Sequence, residues 1–201
     1  MVAERTTPSD VQERQWINRA QAGDKTAFEA LVRRYQRFAI GIAFRMTGRL
    51  DWAEDIAQEA FIKVWLNLPK FRGDSLFRTW LARIVTNLTV DQLRKETRQE
   101  PLDEHWAAPS ESLPAAALKR ELADQVRQAI LTLPPQCRAA LVLREYQQLS
   151  YKEIADALEI PIGTVMSRLN YARGKLRQLL ESERVSPAAS GSRIVSNLKD
   201  E

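Results

Sequence analysis

The sequence predicts an all-α protein of two small helical domains joined by a flexible linker, and three observations predict it. Apolar residues recur at three- and four-residue steps along most of the chain, and no stretch alternates long enough to form a strand. Only 7 glycines interrupt the 201 residues. Between Thr97 and Ala117 the periodicity stops, in a stretch that sets Pro101, Pro109 and Pro114 among acids and small residues. A connection of about twenty residues is long for a compact domain and marks a boundary.

The elements follow in chain order. Residues 1–10 read as an N-terminal tail and 11–96 as the first domain. Its helices are expected over Val11–Ala22, Lys25–Met46, Asp51–Leu68 and Leu76–Lys95. Gly23-Asp24 separates the first two. Thr47-Gly48 ends the second, because glycine is the usual residue past a helix C-terminus. Asp51 followed by Glu54 resembles a capping box for the third. After the linker, 97–117, the second domain spans 118–184, with helices expected over Leu118–Leu131, Pro135–Gln147, Tyr151–Leu158 and Thr164–Glu183. The tail from 185 to 201 is rich in Ser and Ala and is expected to be disordered.

Composition narrows the function. The one cysteine, Cys137, and the one histidine, His105, leave no internal disulfide and no His or Cys cluster for a metal. No phosphate-cradling glycine loop or nucleophile–base pair is evident, so neither an enzyme nor a cofactor is expected. No apolar run is long enough for a membrane span, and the start "MVAERTTPSDVQERQW" has no signal-peptide core. The expected location is therefore the cytoplasm. The tripeptide Arg72-Gly73-Asp74, known as an adhesion signal, has no such role there. In "FRGDS" the glycine permits a bend, and Asp74 or Ser75 can cap the next helix. The net charge of +4 points weakly to nucleic acid, and its placement matters more.

The second domain carries the sharpest local pattern, "LSYKEIADALEIPIGTVMSRLNYARGKLRQLLE". Ser150 with Glu153 forms an S-x-x-E capping box before a short helix that buries Ile154, Ala155 and Leu158. Pro161 and Gly163 prevent one continuous helix, and Thr164 is expected to cap the next. Val165, Leu169, Ala172, Leu176 and Leu179 make one buried stripe. The other face carries Ser167, Arg168, Asn170, Tyr171, Arg173, Lys175 and Arg177, with no acid between Thr164 and Leu180. A helix-turn-helix places such a second helix in the DNA major groove, where Arg reads guanine, Asn reads adenine and further cations meet phosphate.

In the first domain, Ala53, Ala57, Ala60 and Val64 form the core face of the third helix, with Ile56 and Phe61 at its margins. The opposite face collects Asp51, Asp55, Gln58, Glu59, Ile62 and Leu66. An acidic stripe with an apolar centre suits docking on a basic protein partner. The fourth helix runs through Phe77, Arg78, Trp80, Arg83, Asn87 and Arg94, with Leu76, Leu81, Ile84, Val85 and Leu88 assigned to the core. Rings beside arginines suit single-stranded DNA, because unpaired bases stack on them. Phe77 and Trp80 are alternatively readable as core anchors.

Two long stretches together resemble the bacterial sigma factors of the extracytoplasmic-function (ECF, group 4) kind. "DWAEDIAQEAFIKVWLNLPKFRGDSLFRTWLARIVTNLTVDQLRK" resembles their region 2, and "LTLPPQCRAALVLREYQQLSYKEIADALEIPIGTVMSRLNYARGKL" their region 4. The resemblance implies a promoter-specificity subunit of RNA polymerase. It implies that Asp51, Asp55, Gln58, Glu59 and Ile62 dock on the clamp helices of the largest polymerase subunit. It implies that Arg72, Phe77, Arg78, Trp80, Arg83, Asn87 and Arg94 hold the melted −10 element, with Asn87 near a captured base. Thr164, Ser167, Arg168, Asn170, Tyr171, Arg173 and Lys175 would then meet the −35 element. Region 4 would lie by the polymerase flap and the linker would thread toward the active-site and RNA-exit channels. An anti-sigma factor is the further partner implied. The sequence departs from some members at Met166, where an arginine is often found, so the −35 sequence read is left open. A stand-alone helix-turn-helix regulator and a helical adaptor are the competing readings; the first leaves the acidic stripe without a use, the second the acid-free helix.

Overall fold

The computed structural model describes residues 8–99 and 114–185, all of the regular structure among them helical. The helices are α1 (Pro8–Gln21), α2 (Lys25–Thr47), α3 (Leu50–Asn67), α4 (Phe77–Gln99), α5 (Pro114–Leu131), α6 (Pro135–Leu141), α7 (Tyr151–Leu158) and α8 (Ile162–Val185). A single 3-10 turn, Leu68–Lys70, follows α3, and α6 widens into a π turn over Val142–Tyr146. The expected linker is shortened at both ends, since α4 runs to Gln99 and α5 begins at Pro114. Its residues 100–113 and the tails 1–7 and 186–201 lie outside the described residues.

Local chemistry sets most boundaries. The Asp24 carboxylate accepts from the Ala27 N–H and starts α2. Gly48, in the left-handed region at φ 74, closes it with an N–H donated to the Phe44 carbonyl. The box at α7 is complete: the Glu153 N–H donates to Ser150 Oγ at 3.2 Å, and the Ser150 N–H donates to the Glu153 carboxylate at 2.7 Å. Two expected caps fail. Arg49, which makes no side-chain cap hydrogen bond, stands before α3, and Asp51 lies inside its first turn. The Asp51 carboxylate takes the Arg49 guanidinium at 2.8 Å. Thr164 lies inside α8, its N–H donating to the Pro161 carbonyl, so α8 starts two residues earlier than expected.

α1 to α4 form one bundle. Leu31, Ile42 and Met46 of α2, Val64 of α3 and Leu81 of α4 are fully buried at its centre. Each contributes about 1.5–3 kcal/mol by leaving water. The core face of α3 is as expected, with Ala53, Ile56, Ala57, Ala60, Phe61 and Val64 all buried. On α4 the expectation slips at the start: Leu76 is 54% exposed and Phe77 only 2%. α5 to α8 pack on one another through Leu133, Leu143, Leu149, Ile154 and Leu169, all fully buried.

The two halves also pack on each other, which a tethered pair does not require. Their buried residues form one continuous core, with α4 against α7 and the end of α2 against α5 and α6. Arg138 of α6 is 7% exposed and donates to the carbonyls of Met46, Leu131 and Leu133. It thereby joins the last turn of α2 to the last turn of α5, where carbonyls lack helical partners and the helix dipole favours a cation. Gly48 serves the same junction: a Cβ there would lie 2.7 Å from the Leu131 side chain.

Candidate protein- and nucleic-acid-binding surfaces

The first surface lies on α3. Asp51, Asp55, Gln58 and Glu59 are exposed on one face, with Ile62 55% and Leu66 68% exposed at its apolar centre. Arg49 beside Asp51 holds that carboxyl below its usual range, and Glu59 pairs with Lys63 at 3.2 Å. The stripe continues into a groove that its sequence pattern did not reveal. Phe28, Val32 and Ile40 of α2 and Phe61, Ile62 and Trp65 of α3 line a cleft of about 670 Å³, edged by Glu29, Glu54 and Gln58. Phe28 and Trp65 meet at 4.8 Å between ring centres, which holds the cleft's wall. The signal was legible in outline: Phe28, Val32, Gln36 and Ile40 recur at four-residue steps, a second stripe beside the core stripe of α2. The slot is apolar, with Glu29, Glu54 and Lys25 at its edge, a form that suits an amphipathic helix laid along it.

The second surface joins the turn at 71–76 to α4. Arg72, Gly73 and Asp74 are exposed, and Gly73 takes φ 76. Phe71 stacks on Trp80 at 4.8 Å with rings 27° apart. Trp80 is half-buried, so its outer edge remains available. Phe77 is a correction to the expected DNA set: it is buried among Tyr35, Phe71 and Trp80, with ring centres 5.2, 6.0 and 5.9 Å away. A ring enclosed on that many sides cannot stack on a base. Trp80, Arg83, Asn87, Asp91 and Arg94 recur at steps of three and four and share one face. Asn87 is exposed, and Arg94 lies 4.0 Å from Asp91. Arg78 sits off this face, 3.6 Å from the Glu153 carboxylate and 3.5 Å from the Gln147 carbonyl. Arg83 pairs with Glu159 at 2.5 Å.

The third surface is the outer face of α8. Val165, Leu169 and Ala172 are buried against α6 and α7, which turns Asn170, Tyr171, Arg173 and Lys175 outward. Ser167 turns back on its own helix, donating to the Thr164 carbonyl at 3.0 Å, while Thr164 is half-buried. Arg168 donates to the Gln136 amide oxygen at 3.0 Å. Arg173 donates to Glu145 at 2.7 Å, a bond that raises the Arg173 pKa further. The absence of acids between Thr164 and Leu180 is thus partly offset by a glutamate from the π turn. Ile162 and Met166, 47% and 49% exposed, add an apolar element near the start of the helix that was not among the expected contacts.

Comparison with known proteins matches both halves. Residues 31–99 match Sigma-70 region 2 and residues 123–176 match Sigma-70 region 4. The chain is 39% identical over 182 residues to the RNA polymerase sigma-H factor of Pseudomonas aeruginosa, covering 85% of this chain and 94% of that one. It is 37% identical over 177 residues to the ECF RNA polymerase sigma factor SigW of Bacillus subtilis, covering 82% and 94%. Among solved structures it resembles CnrH in complex with the cytosolic domain of CnrY, at 28% identity and a TM-score of 0.65, over 86% of this chain and 99% of that one. It also resembles the sigma factor RpoE in complex with the anti-sigma factor NepR from Bartonella quintana, at 25% identity and a TM-score of 0.63, over 78% and 98%.

Proposed function

The chain belongs to the extracytoplasmic-function branch of the sigma-70 family of RNA polymerase sigma factors, and from that premise we propose which of its surfaces does each part of the work. As a sigma factor it binds core RNA polymerase and directs it to promoters. The groove between α2 and α3 receives the clamp helices of the largest polymerase subunit. Ile62 and its apolar neighbours supply contact area, and Asp51, Asp55, Gln58 and Glu59 supply charge that steers the encounter. The single observation that carries this assignment is the cleft of about 670 Å³ beside Ile62, which adds an apolar slot to the acidic face and so supports a docking role.

The turn at 71–76 and the face of Trp80, Arg83, Asn87 and Arg94 hold the opened −10 strand. Unstacked bases lose about 1–3 kcal/mol each when an aromatic platform is removed, so capture there offsets part of the melting. The outer face of α8 enters the major groove at the −35 element. There Asn170 and Arg168 would meet base edges, Arg173 and Lys175 phosphates, and Met166 a thymine methyl. Polymerase holds the two modest contacts together, so each raises the effective concentration of the other. The chain acts beside the polymerase in the cytoplasm and performs no chemistry of its own, since nucleotide addition belongs to its partner.

An anti-sigma protein is the proposed regulator. The solved relatives CnrH and RpoE are held with CnrY and NepR, and the same groove and faces would be covered here. The test is run-off transcription with core RNA polymerase on a promoter library, followed by sequencing of the 5′ ends. Discrete starts sharing −35 and −10 motifs are expected. No starts, with tight duplex binding by the chain alone, would replace this reading by the stand-alone regulator.

A further inference from the structure

α1 carries none of the expected contacts, yet its last residue reaches the turn that does. Gln21 Nε2 donates to the Leu68 carbonyl at 3.0 Å and to the Phe71 carbonyl at 2.7 Å. These two carbonyls bracket the 3-10 turn that leads into Arg72-Gly73-Asp74. A carboxamide nitrogen carries two hydrogens, so both are used, and two carbonyl acceptors fix which way the amide faces. Leu68 is fully buried, and its carbonyl also accepts the Phe71 N–H at 3.0 Å. Phe71 in turn stacks on Trp80.

Gln21 is itself held. The Ala22 N–H donates to the Asn18 and Arg19 carbonyls, the Gly23 N–H to that of Ala20 and the Asp24 N–H to that of Arg19, closing α1 tightly. Arg19 bonds Asp24, which caps α2. Farther up, Glu13 accepts from Tyr35 and pairs with Arg34 at 3.0 Å, fastening α1 along α2. The helix is thus a strut, and Gln21 is the point where it meets the turn.

We propose that Gln21 is a positioning residue for recognition of the −10 element: its two bonds set where the backbone leaves Phe71 and so where Arg72, Asp74 and the edge of Trp80 stand. This rests on the proposed role of the 71–87 surface. The turn beyond Phe71 has little else to fix it, since Arg72, Gly73 and Asp74 are exposed and a Cβ on Gly73 would meet nothing within 4 Å. A donor at its base therefore has leverage on its tip.

The test is Gln21→Met, which keeps the length of the side chain and removes the donor. Full-length wild type and variant are assembled with core polymerase and run on libraries randomised separately at −10 and at −35, with open-complex lifetime and hydrogen exchange at Arg72–Leu76 measured alongside. Loss of two hydrogen bonds should shorten the open-complex lifetime and speed exchange by about tenfold each. The −10 preference should flatten while the −35 preference stays as it was. An unchanged −10 profile, or equal loss at both elements that tracks a lowered Tm, would overturn the proposal. If the wild type itself shows no −10 preference, the reading of the 71–87 surface fails and the role of Gln21 in −10 recognition falls with it, whereas a flat variant profile beside a selective wild type bears on Gln21 alone.

Discussion

Arg83, on the face assigned to the opened −10 strand, is paired at 2.5 Å with Glu159, the left-handed residue between the two helices of the DNA-reading motif. The glutamate takes one of the guanidinium's N–H groups and offsets its charge, so it competes with a phosphate for Arg83. Both side chains are about half exposed, 42% and 56%, so the pair is worth well under about 1 kcal/mol to folding. Its consequence is for binding. Glu159→Gln should leave Tm almost unchanged and raise the affinity of the free chain for a fluorescent single strand carrying the −10 sequence. Equal affinities for the two proteins would show that the pair does not compete with DNA.

Arg138 is the buried bolt between the two halves. Burial pushes its pKa down to about 10, so it remains a cation at neutral pH. Arg138→Met fills much of the volume but strands the carbonyls of Met46, Leu131 and Leu133. A loss of about 3 kcal/mol is expected in urea unfolding, since buried acceptors without donors cost about 1–3 kcal/mol each and some relax to water. A loss under about 1 kcal/mol would mean that these carbonyls find water readily.

The boundaries legible in sequence were those set by neighbours in the chain. α7 was read to the residue because Ser150 and Glu153 cap each other across one turn. The spacing of Asp51 and Glu54 misplaces the start of α3 because the Asp51 carboxylate bonds first to Arg49, a partner that the spacing of two acids does not show. Phe77 was misplaced for a related reason: rings among arginines fit either a base platform or a core, and the enclosure by Tyr35 that decides it comes from another helix. The acidic stripe of α3 was visible as periodicity, but the groove beside it needed α2 alongside. Arg138 and the Arg83–Glu159 pair lay wholly outside reach, because a lone charged residue reads as solvated until its distant partner is placed.

Asp55→Lys combined with Glu59→Lys reverses the charge along the proposed polymerase groove. Both positions are exposed, so far-UV circular dichroism and Tm should match the wild type. Co-purification with core polymerase should be lost, because rim charges that drew the partner now repel it. Retained co-purification would remove these residues from the docking site.

The Asp24 carboxyl is held below its usual value of 3.8, first by the Ala27 N–H and then by Arg19. A depressed carboxyl stabilises the fold above its unfolded pKa and loses that contribution as pH falls through its folded one. Asp24→Asn keeps the cap acceptor without the charge. Wild type should therefore exceed this variant in Tm at neutral pH, and the gap should close as pH drops below 3.8. A gap that stays constant into acid would assign the stabilisation to the cap's shape and not to its charge.

Arg168 and Asn87 allow the two proposed DNA contacts to be tested separately. Arg168 keeps one arm on Gln136 at 3.0 Å, which orients the guanidinium and leaves its other N–H groups for a base edge. Arg168→Ala should therefore weaken −35 binding by roughly 1–3 kcal/mol at one base pair and little at others, read from a randomised −35 library. Gln136→Ala should reproduce part of that loss, since an unsupported guanidinium gives up more freedom on binding. Uniform weakening across all −35 sequences would make Arg168 a phosphate contact. Asn87→Ala, on α4, should change preference at −10 and leave −35 alone. If both preferences move together, the two halves do not read their elements independently, and the packing of α7 on α4 is the first place to look for the coupling.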